Sequence, residues 1–193
     1  MKRHAISASV VGMVVAGCLL ACGCYLNTKT AIIQDEEYRE KDIQLRLQCV
    51  RVVVIDLRAN VSKTDLDVPL WTLRSQKHDA TPPLTQEEIK LIEFETLRYF
   101  GKSGKKVEVE VRLLHGQKKY VLDHMVEKEN SKTELQIALR DASNHWVWMS
   151  GTGQMEYTMS SRTATSGSSE QLYVKTLKGS IYKAIEAIES QVP

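Results

Sequence analysis

Residues 105–116 read KKVEVEVRLLHG, and the alternation is strict. Val107, Val109, Val111 and Leu113 fall on one side, and Glu108, Glu110 and Arg112 on the other. Successive strand side chains point to opposite faces, so this is a strand with one buried and one wet face. Such a strand needs neighbours and a cover over its apolar side. TELQIALRD repeats the pattern with Leu135, Ile137 and Leu139, and DASNH then reads as a turn. WVWMSGTGQMEYTM, at 146–159, returns as the hairpin partner, with Gly151 and Gly153 permitting a close approach or a bulge. HGQKK, at 115–119, reads as a turn into a weaker strand at about 119–126.

Two segments can supply the cover. In LTQEEIKLIEFETLRYFG, Thr85 and Glu88 have capping-box spacing, and Leu84 and Ile89 fit a hydrophobic staple. Ile89, Ile92, Leu97 and Phe100 are expected on one stripe, with Gly101 as a left-handed stop. A last helix over about 170–190 places Tyr173, Leu177, Ile181, Ile185 and Ile188 together. The segment 160–169, SSRTATSGSS, is poor in apolar residues and reads as a mobile connection.

Upstream, DIQLRLQCVRVVVIDLRANV at 42–61 is apolar at Ile43, Leu45, Leu47 and Cys49, then on both faces through Val50–Ile55. It reads as a strand half-buried at its start and buried on both faces near its middle. Twenty residues exceed one strand of a small domain, so a bend or break is expected. Residues 59–84 hold three of the four prolines and Trp71, and read as a long loop with VPLWTL as an edge strand or plug. The fold class is therefore α+β: a single mixed, mostly antiparallel sheet with two helices packed on one face.

The N-terminus addresses the chain. MKRH is basic, and AISASVVGMVVAG is an uncharged apolar run of 13 residues, short for a membrane span. VAGC ends at Cys18 and LLAC at Cys22, and both resemble the bacterial lipobox. The resemblance implies a diacylglyceryl cysteine, cleavage before it, and acylation of the new amino terminus. Cys22 is favoured, because cleavage at Cys18 leaves a greasy LLACGCYL start. An uncleaved signal anchor is the competing reading. The division is then 1–21 signal peptide, 22–41 lipidated N-terminus and tether, and 42–193 one periplasmic α+β domain. Cys24 and Cys49 could pair in an oxidising envelope, but a tail residue has no fixed geometry, so Cys49 reads as a small apolar strand residue.

Removing residues 1–21 deletes Lys2 and Arg3 and leaves 24 basic against 24 acidic side chains. The electrostatic footprint of a nucleic-acid binder is absent. GKSGKK, at 101–106, has neither the spacing nor the strand-to-helix context of a phosphate loop. His78, His115, His124 and His145 form no i, i+4 pair, and His124 beside Asp123 and near Glu127 reads as a polar strand end. No nucleophile motif is visible, so no catalytic residue, cofactor or metal is assigned.

HWVWMSGTG, at 145–153, is the most distinctive stretch. Trp146 and Trp148 fall on one face of a strand, either packed against a helix or loop, which is the preferred reading, or exposed as a docking patch. LQIALRDASNHWVWMSGTGQ, a Ser/Thr/Gly-rich gap and LYVKTLKGSIYKAIEAI together resemble small bacterial envelope lipoproteins of the CsgG, LpoB and YajG type. Leu139, Asp141, Trp148, Gly151, Gly153 and Ala184–Ile188 carry the match, over about 55 residues. The 59–84 loop departs from the pattern. The resemblance implies a fold and an envelope role, with no catalytic residues. Gly23 rather than Asp after Cys22 agrees with outer-membrane sorting in such families.

The expectation is a lipid-anchored accessory protein that binds or regulates an export, transport or cell-wall machine without catalysis. Trp146, Trp148 and Trp71 are its partner-binding candidates. The alternative is a ring-forming subunit of a secretion or polysaccharide-export channel.

Overall fold

The computed structural model describes residues 32–33, 41–66, 75–123, 126–143, 146–161 and 166–191. The elements are β1 Ile32–Ile33, β2 Leu45–Asp56, β3 Gln76–Ala80, α1 Gln86–Leu97, β4 Phe100–Asp123, β5 Val126–Asp141, β6 Val147–Ser161 and α2 Ser166–Glu189. The strands form one mixed sheet in the order β1-β6-β5-β4-β2, with β3 also paired to β4. β4, β5 and β6 are an antiparallel meander. β2 runs parallel to the first half of β4, and β3 antiparallel to the second. Parallel neighbours need a crossover, and α1 lies within it. The fold is α+β, as the alternation implied.

Both helices cover the same face. Tyr173, Leu177, Ile181, Ile185 and Ile188 of α2 and Ile92 of α1 share one buried cluster with Val107, Val109, Val111, Leu113, Leu135, Ile137 and Leu139. Each fully buried Val, Leu or Ile contributes about 1.5–3 kcal/mol. A Cβ on Gly153 would lie 1.9 Å from the Ser180 carbonyl oxygen, and one on Gly151 2.1 Å from that of Ala184. The glycines thus allow the α2 backbone to lie directly on β6. On the uncovered face, Glu110 binds Arg112 and Arg140, the latter at 2.9 Å, and Arg112 reaches Gln136 at 3.1 Å.

Three bulges correct the sequence reading. β4 is one strand of 24 residues with no turn at 115–119. An extra residue, Leu114, shifts the register between Leu113 and His115, and the helix-facing phase passes from odd to even positions. In β2, Val50 is the extra residue, so Leu45 and Leu47 face inward before it and Val52 and Val54 after it. That change of phase produces the apolar run through 55. It is not buried on both faces: β2 ends the strand order, and Val52–Ile55 are half-buried. The third bulge, in β6, is Trp148.

Other expectations also change. The 59–84 stretch contains β3, and α2 starts at Ser166, inside the expected connection. Thr85 and Glu88 do form the capping box. The buried stripe of α1, however, is Glu88, Ile92, Glu95 and Thr96, while Leu97 is exposed and Phe94 is 64% exposed. Glu95 is buried because it binds Lys178 of α2 at 2.8 Å and Arg98 at 2.5 Å. Gly101 is not the helix stop; among the described residues the glycine with positive φ is Gly104, at 115°.

Candidate functional site

The sheet has two unlike ends. At the end where β4 starts and β5 finishes, the turn into β6 is built around Asp141. Its backbone N–H donates to the Trp146 carbonyl at 3.0 Å, and its Oδ1 accepts from the Ser143 N–H at 2.8 Å. Its Oδ2 lies 2.9 Å from Lys105 Nζ. The Lys105 bond, with the Ser143 bond behind it, holds the Asp141 carboxyl below the usual carboxylate range. Lys105 also lies 4.2 Å from the centroid of the Trp148 ring, a cation–π contact.

Trp148 bulges because β6 takes two steps, from Met149 to Val147, where β5 takes one, from Leu139 to Arg140. Trp146 is 77% exposed and Trp148 40%, and Val147 between them is exposed too. The expectation that the pair packs under a helix or loop is corrected: the tryptophans stand on the surface beside a lysine. Val50, the bulge of β2, lies at the same level of the sheet, since Cys49 pairs with Val107 and Val107 with Asp141. Arg46 and Arg51 of β2 and Lys102 and Lys106 at the start of β4 are exposed as well. Gly104 makes this corner possible, because a Cβ there would lie 2.4 Å from the Arg46 carbonyl oxygen.

Toward the other end, past the β4 bulge, the helix-facing surface is charged and buried. Lys118, its side chain 2% exposed, binds Asp65 at 2.7 Å and Glu170 at 2.6 Å. Its Nζ lies 4.9 Å from the Tyr173 ring centroid. Burial pulls the Lys118 ammonium pKa down, but the two carboxylates outweigh it and leave it above its ordinary value. Arg58 is equally hidden and forks onto Asp56, with Nε to Oδ1 at 2.8 Å and Nη2 to Oδ2 at 2.7 Å. Its Nη1 reaches the Tyr173 hydroxyl at 3.4 Å. Burial pushes the Tyr173 hydroxyl up, and also Glu88, despite the Thr85 cap. Tyr120, beside them on β4, is pushed up to about 12, by burial and then by Glu127.

The buried group is a clamp: it fastens the 58–66 segment and the start of α2 to β4. Its two cations are each held by carboxylates, Lys118 by Asp65 and Glu170 and Arg58 by Asp56. Among the described residues no three His, Cys, Asp or Glu side chains are grouped to hold a metal ion. Sequence reasoning missed Lys105 and this clamp. Lys105 had a local signal, the basic run Lys102–Lys106, whereas Lys118 meets residues 53 and 52 positions away.

Trp71, Cys18, Cys22, Cys24, His124 and the expected signal peptide at 1–21 lie outside the described residues. Cys49 is a half-buried free thiol whose Sγ donates to the Arg51 carbonyl at 3.3 Å, and burial raises its pKa. Among the described residues no helix is long and apolar enough to cross a membrane. No protein-family model, no curated protein and no solved structure matches the chain.

Proposed function

We propose that this chain is a lipid-anchored accessory lipoprotein of the bacterial envelope. Cys22, or Cys18 in its place, would hold it on the outer membrane facing the periplasm. It would bind or regulate an export, transport or cell-wall machine, without catalysis. The observation that carries the reading is the solvent-facing tryptophan end: Trp146, Val147 and Trp148 exposed together, with Trp148 braced by Lys105. Rigid aromatic side chains of this kind dominate binding hot spots. Topology supports it too. The chain joins the sheet at β1, where Ile32 pairs with Ser160 at the opposite end of β6. Ser160 is thirteen residues along β6 from Val147, a span of about 40 Å. An anchor upstream of Ile32 therefore leaves the tryptophans free to face away from the membrane.

The test is made in growing bacteria with the full chain. Cys22→Ser should abolish labelling with radioactive palmitate and release the protein from the membrane fraction, while Cys18→Ser should do neither. A photocrosslinker in place of Trp148 should yield one discrete adduct with an envelope protein, lost in Trp146→Ala. No label with either cysteine intact, or no adduct, would sink the proposal.

A second reading, a ring-forming channel subunit, draws on the sheet margins. β2 ends the strand order on one side, and β1 pairs with β6 only at Ser160 and Met159 on the other. Open edges can pair between copies. Light scattering of the full chain in detergent separates the two, since a ring has a defined multi-copy mass and an adaptor is a monomer.

A further inference from the structure

The two halves of the sheet are closed by different means. Before the Leu114 bulge, the buried cluster beneath the helices is apolar, from Val107–Leu113 and Leu135–Leu139 up to Leu177 and Ile185. Past the bulge, the apolar cluster among the described residues is Leu66, Ala80, Tyr120 and Leu122, and Leu66 and Leu122 each keep 9% exposure. Polar side chains are buried beside it: Lys118, Glu129, Ser131 and Thr133 on β4 and β5, and Ser169 on α2. Ser131 is paired with Lys118 across the strands, and its hydroxyl finds no hydrogen-bond partner among the described residues.

Three elements close this half: the 59–66 segment, β3 and the start of α2. Lys118 holds two of them, through Asp65 and Glu170, and those carboxylates are 52% and 47% exposed. Ser62 holds the third. Its N–H donates to the Thr81 carbonyl at 2.7 Å, and its Oγ accepts from the Thr81 N–H at 2.9 Å, one residue past β3. Arg58, forked on Asp56, fixes the segment on the β2 side.

We infer that 59–66, β3 and the first turns of α2 form a strap that opens as one unit, with Lys118 as its pin, while the apolar half stays folded. The inference does not depend on the docking role proposed above. Local opening is easiest where few apolar contacts break and polar groups can exchange their partners for water. Both conditions hold past the bulge. Asp65 and Glu170 already touch water, and Lys118 gains it as the strap lifts. The Ser131 hydroxyl, unsatisfied under the closed strap, is hydrated under the open one. β1 pairs at this end: Ile33 meets Met159, Met159 meets Glu129, and Glu129 meets Tyr120. The exposed tryptophans stand at the end of the firm half instead, where Asp141 pairs with Val107.

The experiment is native-state amide hydrogen exchange on the full chain in a neutral detergent, read by NMR. The strap set is Ser62, Thr81, the β3 amides and Glu170–Leu172. The core set is Val109–Leu113, Leu135–Leu139 and Leu177–Ile188. The strap set should exchange at least about tenfold faster than the core set. Asp65→Asn should speed the whole strap set by one common factor of at least about threefold, although Asp65 touches neither β3 nor Glu170–Leu172. Ile137→Val, in the apolar cluster, should speed the core set and leave the strap set unchanged. An Asp65→Asn effect confined to Ser62, with β3 and Glu170–Leu172 unmoved, overturns the inference, because the pieces then open separately. A common rate for both sets, or an Ile137→Val effect shared by both, overturns it as well, because the molecule then opens only as a whole.

Discussion

Lys105 and Lys118 lie on the same strand, each beside an aromatic ring and a carboxylate. Only their surroundings differ. Lys118 sits past the Leu114 bulge, on the helix side, beneath the 58–66 segment and α2. Its charge is enclosed, so its partners are obligatory. Lys105 stands at the open end of the sheet, where water competes for every contact. One strand thus carries a lysine that holds the fold together and a lysine that braces a surface. Residue type does not distinguish them; the phase of the strand and the cover above it do.

The comparison can be broken at several points. The largest effect is expected where neither end is touched: Gly153→Val drives a side chain into the Ser180 carbonyl. It should cost about 3 kcal/mol or more through overpacking, and urea denaturation should show the loss or a failure to fold. Lys118→Ala should cost about 2 kcal/mol, through the lost packing of a buried side chain and its two charge-assisted hydrogen bonds, while the half-exposed Asp65 and Glu170 return to water. Lys105→Ala, its surface counterpart, should cost less than about 1 kcal/mol. Equal losses for the two lysines would dissolve the distinction. Trp146→Ala with Trp148→Ala should move the midpoint little; a large loss of stability would return the tryptophans to the core.

The smallest effect sharpens the acid side. Burial raises the folded-state pKa of Glu88, so the folded protein holds that proton more tightly than the unfolded one. Stability from this group is therefore present at low pH and falls as pH rises from the unfolded value through the folded one. Gln at 88 stays neutral and retains the capping geometry. Glu88→Gln should gain stability relative to the parent as pH goes from 4 to 7, read by denaturant melts at both values. Asp141 has the opposite sign. Its depressed pKa makes its contribution complete above the unfolded value and lost as pH falls through the folded one.

Local chemistry was readable from the residues, and register was not. Thr85 and Glu88 are three positions apart, and their capping box formed as spaced. The α2 stripe and the β5–β6 hairpin followed from period alone. Bulges defeat period-two reading, because one extra residue reverses every later position. For that reason 115–119 looked like a turn, and Lys118 would have been placed in water. β3, QKHDA, has no apolar alternation and exists because the far half of β4 offers it a partner. At the candidate site, Trp146 and Trp148 were visible, but their exposure was not. Trp148 meets Lys105, two strands away, and Lys105 in turn meets Asp141 in the turn before β6.

β1 has a mechanical consequence. It is two residues long, and among the described residues it is the first to pair in the sheet. Under the proposed anchor, a pull from upstream would load Ile32 and Ile33 before the other described strands, and so few backbone bonds form a weak link. Among the described residues, the next attachments are the Lys41 N–H on the Tyr182 hydroxyl, at 3.1 Å, and the buried side chain of Ile43. In an anchored protein, β1 would act as a fuse, yielding reach under tension before the fold is strained.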